Sequence, residues 1–258
     1  MNSPARGAVE TRRVLWLRVA IVVTILVGWE ALARSGWLFR DVVPPLSKIG
    51  AAILRVLANA DFYGNLATTL MEIAVSLLIG GLAGLAVGIL FGANRFLSRA
   101  FESLVYYLGP TPKIIFFPVM IMWFGVGPGS KIAMGVLSCF FPVAISVAAG
   151  MRQIENVLIR VGRSFRATTW QMVTTIYLPA MRSPIVNGVR LGLGVAIIGT
   201  LLAETKLSNR GLGYLIIQAY ATFDMPRMYA LLIVLFVLSI GVNAIIGRLG
   251  RARYPGAA

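Results

Sequence analysis

The sequence predicts an all-α integral membrane protein, folded as a bundle of six transmembrane helices. Of its 258 residues, 58% are hydrophobic and only 13% are charged, whereas about 25% of the residues in a soluble domain are charged. The apolar residues form repeated runs near the ~20 residues that a helix needs to cross a bilayer. No alternating pattern indicates a β-barrel, and backbone groups in hydrocarbon must bond within the protein, so we expect the runs to be helices.

Six apolar runs are candidate spans. They cover residues 14–33, 66–92, 103–124, 132–150, 185–203 and 229–247. Together they predict a transmembrane domain at 14–247, between an N-terminal tail (1–13) and a C-terminal tail (248–258). A polar loop, 151–184, separates the fourth run from the fifth.

Positive charge sets the expected orientation. The chain has 24 Lys and Arg against 9 Asp and Glu, a net charge of +15. Gathered in a soluble patch, such a surplus would indicate nucleic-acid binding, but here it lies mostly between the apolar runs. If the N-terminus is inside, the inner segments carry more arginines than the outer ones. The sequence therefore predicts that both termini are cytoplasmic.

The segment between the first two spans predicts a short amphipathic helix. Pro44 and Pro45 precede it, and apolar residues then recur at helical spacing. These residues are Leu46, Ile49, Ile53, Val56 and Leu57. The helix is expected either to lie at the outer membrane interface or to serve as a connector on that side.

The second span contains a glycine at every fourth position, a pattern typical of closely packed membrane helices. The row consists of Gly80, Gly84, Gly88 and Gly92, and a shorter row of Gly188, Gly192 and Ala196 follows in the fifth span. Small residues let two helices approach closely, and close van der Waals contact drives helix association in lipid. We expect the partner to be another helix of this chain; a second subunit is the alternative.

Glu72, Lys113 and Arg190 fall within predicted spans, where a charge costs a few kcal/mol. Glu72 and Arg190 lie close to span ends and are interpreted as side chains that reach back to the interface. Lys113 lies deeper, in GPTPKIIFFP, where prolines can interrupt a helix and free its carbonyl groups. Lys113 is therefore the better candidate for lining a solvated pathway.

No residue pattern indicates catalysis, and no catalytic residue is expected. The chain has no histidine, and its single cysteine, Cys139, allows neither an intrachain disulfide nor a cysteine cluster for a metal. It also contains no Gly-x-x-x-x-Gly-Lys-Ser/Thr phosphate loop. We expect this chain to bind no metal and no cofactor of its own.

The polar loop predicts two short helices joined at a capped turn. In the first, Val157, Val161 and Phe165 recur every four residues, while three arginines, Arg160, Arg163 and Arg166, are spaced by three. One helix can therefore show an apolar face and a basic face. The loop is either a docking surface for another protein or a basic helix that lies on lipid.

The second loop helix is expected to begin at TTWQ, Thr168 to Gln171, which has the form of a capping box. It would run through Met172 and Ile176 and end near Leu178, because proline disfavours helix at its predecessor. The predicted docking face contains Phe165 and Met172.

The loop resembles the EAA loop of permease subunits of bacterial type I ABC importers. That loop reads Glu-Ala-Ala, three residues, Gly, nine residues, then Ile-x-Leu-Pro. Ile176, Leu178 and Pro179 match its end, whereas 160–162 replaces Glu-Ala-Ala and Arg166 replaces the glycine. From about 44 to 248, further segments are similar to the subfamily that imports sulfonates, taurine and nitrate. These are IMWFGVGPGSKI, FFPVAISVAAGMRQIE, RSFRATTWQM, YLPAMRSPIVNGVRLGLG, AET and GLGYLI.

The resemblance implies the type I ABC importer permease fold, in a bacterial cytoplasmic membrane, with a loop that couples to a separate ATPase. The loop residues it implies are Arg160, Val161, Gly162, Phe165, Arg166, Thr168, Met172, Ile176, Leu178 and Pro179. It also implies two ATPase chains that bind ATP and Mg, a second permease chain (as a homodimer), and an outer, periplasmic or lipid-anchored, substrate-binding protein. Glu204, Gly211 and Gly213 fall in the region that faces the gate or translocation path in that family.

Two other function classes compete with the importer. An autonomous channel or secondary transporter for small anions would use the polar residues within the spans and would need no ATPase. A membrane-embedded enzyme is weakened by the missing histidines and by the absence of a nucleophile or paired-carboxylate motif.

Overall fold

A computed structural model describes residues 4–37 and 42–251 of the chain. Every regular element within these residues is helical. The α-helices are α1 (Pro4–Ser35), α2 (Leu46–Ala58), α3 (Ala60–Ala93), α4 (Arg95–Leu108), α5 (Phe117–Phe124), α6 (Pro128–Arg152), α7 (Asn156–Ser164), α8 (Thr169–Gln171), α9 (Leu178–Ala180), α10 (Arg182–Lys206), α11 (Leu212–Ala221) and α12 (Met225–Arg251). A 3₁₀ turn, Lys113–Phe116, precedes α5, and a π-helical stretch, Met172–Tyr177, joins α8 to α9.

Five of the six predicted spans are confirmed as long helices. Among the described residues, five helices are long and apolar enough to cross a bilayer, namely α1 from Arg13, α3, α6, α10 and α12 to Gly247. The predicted N-terminal tail is already helical from Pro4. The tail residues 1–3 and 252–258 lie outside the described residues.

The prediction of one continuous helix at 103–124 was wrong. α4 ends at Leu108, and the chain becomes helical again only at the 3₁₀ turn that begins at Lys113. The intervening sequence is Gly-Pro-Thr-Pro, and each proline removes an amide hydrogen and clashes with the preceding turn. Pro118 lies in the first turn of α5, where the missing amide costs no hydrogen bond.

The glycine row of α3 packs against α6, which confirms that its partner is within the chain. A methyl group added at Gly84 would lie 2.8 Å from the Phe140 carbonyl oxygen, and one at Gly88 would lie 2.7 Å from Val147 Cβ. The side chains that meet the row are, in order, Cys139 at Gly80, Val143 at Gly84, Val147 at Gly88 and Met151 at Gly92. Both rows advance in the same order, so α3 and α6 run in the same direction.

The shared direction of α3 and α6 decides the path of the chain between them. Two consecutive parallel spans require the connecting segment, 94–127, to return to the starting side. The broken unit formed by α4, the 3₁₀ turn and α5 therefore makes the crossing that the sequence assigned to a single helix.

α10 packs against α6 through the second row of small residues. A methyl group at Gly188 would lie 2.9 Å from Ser146 Cβ, and one at Gly192 would lie 2.9 Å from the Cys139 sulfur. Ala196 is fully buried in an apolar cluster with Cys139 and Val143 of α6. Because small residues line both contacts, α6 is held closely between α3 and α10.

A second apolar cluster lies at the end of the bundle opposite the polar loop. It joins the predicted amphipathic helix α2, through Ala52 and Val56, to α11 and α12. Phe62 at the start of α3 completes it. The amphipathic helix is thereby confirmed, and its apolar face packs on protein.

α1 contacts the rest of the chain mainly near its end. The Trp29 indole donates to the Pro44 carbonyl oxygen at 3.1 Å, and its ring meets Tyr229 edge-on at 5.4 Å. Glu30 accepts from the Leu46 amide at 2.8 Å, which caps the start of α2. The apolar side chains of α1 between residues 14 and 27 are exposed.

Candidate functional site

The polar loop between α6 and α10 contains the capping box that the sequence predicts. The Gln171 amide donates to Thr168 Oγ1 at 3.3 Å, and the Thr168 amide donates to Gln171 Oε1 at 2.8 Å. This reciprocal pair satisfies two amides that the first helical turn leaves free. The second loop helix therefore begins at Thr169, directly after the predicted cap.

The link between the two loop helices is a Schellman motif with arginine at its left-handed position. Arg166 has φ +54°. Its amide donates to the Arg163 carbonyl at 2.9 Å, and the Ala167 amide donates to the Gly162 carbonyl at 3.0 Å. These are the two bonds that end a helix in this motif, whose left-handed residue is usually glycine. Arg166 is also the position at which the EAA pattern has glycine, so the backbone keeps the turn although the glycine is absent.

The two loop helices pack closely at Gly162. A methyl group there would lie 2.5 Å from both the Met172 sulfur and Ile176 Cδ1. Met172 is accordingly buried. The prediction that Met172 shares an exposed docking face with Phe165 was wrong, because the absence of a side chain at Gly162 lets Met172 fill the space between the helices.

The second loop helix continues beyond its predicted end near Leu178. The chain turns as a π-helix over Met172–Tyr177, and α9 follows as Leu178–Ala180. Pro179 stands in the first turn of α9, where its missing amide hydrogen is not needed. The proline therefore shifts the hydrogen-bonding register and does not end the helix.

The exposed surface of the loop is both apolar and basic. Phe165 is 83% exposed and Trp170 is 74% exposed, and Val157 and Val161 are also exposed on the first loop helix. The side chains of Arg160, Arg163 and Arg166 are exposed as well. Large exposed aromatic residues at a projecting turn are typical of a surface that another protein covers.

A second group of polar residues is buried where α3, α6, α10 and α11 meet. Glu204 of α10 is fully buried and accepts hydrogen bonds from Thr69 Oγ1 at 2.6 Å and from the Gly213 amide at 2.6 Å. The Leu212 amide donates to Thr69 Oγ1 at 2.8 Å. One carboxylate and one hydroxyl thus fasten the start of α11 to two membrane helices. We name Thr69, Glu72, Lys131, Thr200 and Glu204 the buried polar cluster.

The other ionisable groups of the buried polar cluster lie beside Glu204. The Glu72 carboxyl interacts with that of Glu204, and the Lys131 ammonium is close to both. Lys131 Nζ donates to the Val126 carbonyl oxygen and to that of Gly127, the latter at 3.0 Å. Glu72 is only 1% exposed, so the interpretation that it reaches back to the interface was wrong.

The close approach of Glu204 explains the glycines at the start of α11. Gly211 has φ +108°, and a methyl group there would overlap the Glu204 carboxyl. A methyl group at Gly213 would lie 2.7 Å from Glu204 Cβ. Glu204, Gly211 and Gly213 therefore form a packed junction in this structure, and their place at a gate stays a prediction.

Lys113 lies at the interruption between α4 and α5. Its Nζ donates to the Gly109 carbonyl oxygen, directly after the end of α4, and stands 5.0 Å from the centre of the Phe141 ring. A carbonyl group available at this break agrees with the expectation that prolines here free carbonyl groups. The role of Lys113 in a solvated pathway stays a prediction.

Sequence reasoning did not identify Lys131 or the hydroxyl partners of the glutamates. The available signal was spacing, since Thr69, Glu72 and Ser76 follow one helix face at intervals of three and four, and Thr200 precedes Glu204 by four. Among the described residues, no three or more His, Cys, Asp or Glu side chains are grouped to hold a metal ion.

Comparison with known proteins gives a family match over most of the chain. The model of the family "Binding-protein-dependent transport system inner membrane component" matches residues 76–253. The taurine transport system permease protein TauC of Escherichia coli (strain K12) is 28% identical over 258 residues, covering 93% of this chain and 94% of TauC. The formylaminopyrimidine transport permease protein ThiX of Halalkalibacterium halodurans is 29% identical over 235 residues, covering 90% of this chain and 92% of ThiX.

A solved structure shares the fold over nearly its whole length. A chain of a bacterial alginate ABC transporter, solved in complex with an alginate-bound periplasmic protein, matches with a TM-score of 0.65 and 14% identity. The match covers 96% of this chain and 99% of that one.

Proposed function

Because the chain belongs to the family of binding-protein-dependent transport system inner membrane components, as a type I ABC importer permease of the sulfonate and taurine subfamily, we propose that it forms the translocation path of an ATP-driven importer. The proposed cargo is a small solute, in the first place an aliphatic sulfonate, taurine or a nitrate-like anion. TauC supports this class by its name, whereas ThiX is named for a formylaminopyrimidine. The family alone therefore leaves the cargo to be measured.

The observation that carries the proposal is the exposed loop tip. Phe165 and Trp170 project beside the Schellman turn, on a loop with arginines and a preformed cap. A separate ATPase subunit that covers these aromatic side chains would remove apolar surface from water, and Arg166 would pair with a carboxylate on that subunit. ATP and Mg bind to the ATPase in this scheme, and not to this chain.

The proposed assembly has two copies of this chain, two ATPase subunits and one outer substrate-binding protein, which is periplasmic or lipid-anchored. Residues 14–247 form the permease domain in a bacterial cytoplasmic membrane, the loop 151–184 faces the cytoplasm, and both terminal tails lie on that same side. The positive charge of the loop and of the chain ends supports this orientation.

Transport requires two states of the permease, open to opposite sides. ATP shifts the balance between the states only through unequal affinity of the ATPase for the two loop positions. α6 ends where the loop begins and α10 starts where it ends. A displacement of the loop is therefore passed directly to the helices of the bundle core.

The first test of the proposal is the docking surface. Phe165→Asp should leave the permease inserted in the membrane but prevent co-purification of the ATPase, because a carboxylate replaces the most exposed aromatic side chain of the loop. Phe223→Asp is the control, since Phe223 is also exposed but lies between α11 and α12, at the opposite end of the bundle. A Phe165→Asp complex that assembles and transports normally would contradict the docking role.

The alternative is an autonomous channel or secondary transporter for small anions. The buried polar cluster favours it, because charged residues inside a membrane are typical of ion-coupled transport. Liposomes that contain the chain with and without its ATPase separate the two functions. Uptake driven by an ion gradient alone, in the absence of the ATPase, would refute the importer.

A further inference from the structure

A basic cavity lies beside the loop, at the end of the bundle where α3 and α6 finish. Its volume is about 850 Å³. Four arginines from three separate elements line it, and no carboxylate is among the lining residues whose side chains the structure describes. These arginines are Arg99 of α4, Arg152 at the end of α6, and Arg160 and Arg163 of α7. The cavity therefore concentrates positive potential.

The walls of the cavity lie at the level where the spans end. Gly92 and Ala93 finish α3, and Met151 stands at the end of α6, one residue before Arg152. Buried and half-buried apolar residues of the loop form another wall. This combination of helix ends, apolar wall and arginines corresponds to the boundary between hydrocarbon and water, where lipid headgroups lie.

We propose that this cavity binds the headgroup of an anionic phospholipid of the leaflet that the loop faces. An arginine guanidinium matches the oxygens of a phosphodiester with two parallel hydrogen bonds, and several arginines from different elements can surround one such group. Basic pockets at the cytoplasmic ends of membrane helices suit such headgroups. The apolar wall accommodates the glycerol and the first methylenes of the acyl chains.

The position of the arginines favours a lipid over a protein partner. Arg99 and Arg152 belong to the ends of membrane helices, outside the two loop helices. The aromatic residues assigned to the ATPase, Phe165 and Trp170, do not line the cavity. An ATPase that covers the loop tip would therefore leave the cavity to the membrane.

A lipid in this cavity would connect the first loop helix to the membrane helices. The headgroup would bridge Arg160 and Arg163 on α7 to Arg99 on α4. The inference thus adds a lipid requirement to the docking of the loop. The inference rests on the proposed function for the ATPase that covers the loop tip, but lipid retention is measured separately from transport, so the two can fail independently.

The test uses the permease co-purified with its ATPase in nanodiscs of phosphatidylcholine with or without phosphatidylglycerol, and native mass spectrometry counts the retained lipids. The double variant Arg99→Gln and Arg152→Gln should retain phosphatidylglycerol about tenfold less than the unmodified complex, since each lost guanidinium removes a charge-assisted contact. Arg182→Gln is the control, because Arg182 is exposed at the start of α10 but does not line the cavity.

Each outcome decides the proposal. Loss of phosphatidylglycerol in the double variant, no loss in the control, and recovery when both positions carry lysine would support the lipid site. Retention of the lipid by the double variant would overturn it. Displacement of the lipid by added inorganic phosphate would assign the cavity to a free anion. Loss of the ATPase from the double variant, with unchanged lipid retention, would assign the cavity to the ATPase interface. Either result overturns the proposal.

Discussion

The packing of α3 on α6 predicts a large difference between two glycines of the same helix. Gly88 faces α6, where an added methyl group would lie 2.7 Å from Val147 Cβ and 2.8 Å from the Ala144 carbonyl oxygen. Neither atom is the end of a flexible side chain, so α3 or α6 must move as a whole. Gly81 lies on another face of α3, and a methyl group there would meet nothing within 4 Å.

The pair Gly88→Ala and Gly81→Ala therefore isolates the packing cost. Both substitutions gain the same helix propensity, about 1 kcal/mol for alanine over glycine. Only Gly88→Ala overfills a tight contact, which costs about 1–3 kcal/mol. The free energy of unfolding should therefore be lower for Gly88→Ala than for Gly81→Ala by about 1–3 kcal/mol, with Gly81→Ala at or above the unmodified protein.

The assay is the thermal unfolding midpoint of the purified permease in one detergent, followed by tryptophan fluorescence. Gly88→Val should lower the midpoint further than Gly88→Ala, because a branched side chain meets the same Val147 and Ala144 atoms. Equal midpoints for Gly88→Ala and Gly81→Ala would refute the close contact between α3 and α6.

Three further substitutions test the loop and the buried polar cluster. Arg166→Gly should stabilise the loop by about 1 kcal/mol, because glycine adopts the left-handed conformation without the penalty of a side chain. The gain in stability would appear as slower protease cleavage within the loop. Arg166→Ala is the control and should not slow the cleavage. Thr168→Ala should remove the cap, at a cost of about 1 kcal/mol, and speed the same cleavage. Thr69→Val should lower the thermal midpoint by an amount corresponding to about 1–3 kcal/mol, since it leaves Glu204 Oε1 and the Leu212 amide without a shared partner. The adjacent Thr68→Val, which loses only a bond within its own helix, should change the midpoint little.

Sequence periodicity was sufficient for the parts of the fold that depend on single helices. Run length identified five long helices, the apolar spacing of 46–57 identified α2, and the capping residues placed the second loop helix. The spacing of Gly80 to Gly92 also identified a contact face, because only close approach of another helix requires small residues at one interval.

Sequence reasoning was less successful where the outcome depends on a neighbour. The length of the apolar run favoured one helix across 103–124, and the effect of Pro110 and Pro112 on that helix was underestimated. The exposure of Met172 depends on Gly162, which lies ten residues earlier and is in contact only after the loop has folded. The environment of Glu72 depends on Glu204 and Lys131, which are brought together from two other helices.

The positions of α3, α6 and α10 determine how the molecule can change shape. Small residues hold α6 in close contact with both neighbours, so we expect these three helices to move together as one body. The loop is tied to that body at both its ends, at Arg152 and at Arg182. In the proposed importer, a displacement of the loop would therefore tilt the three helices together, and the bending that opening and closing require would come from the segments around them, among them the interrupted crossing at 109–116.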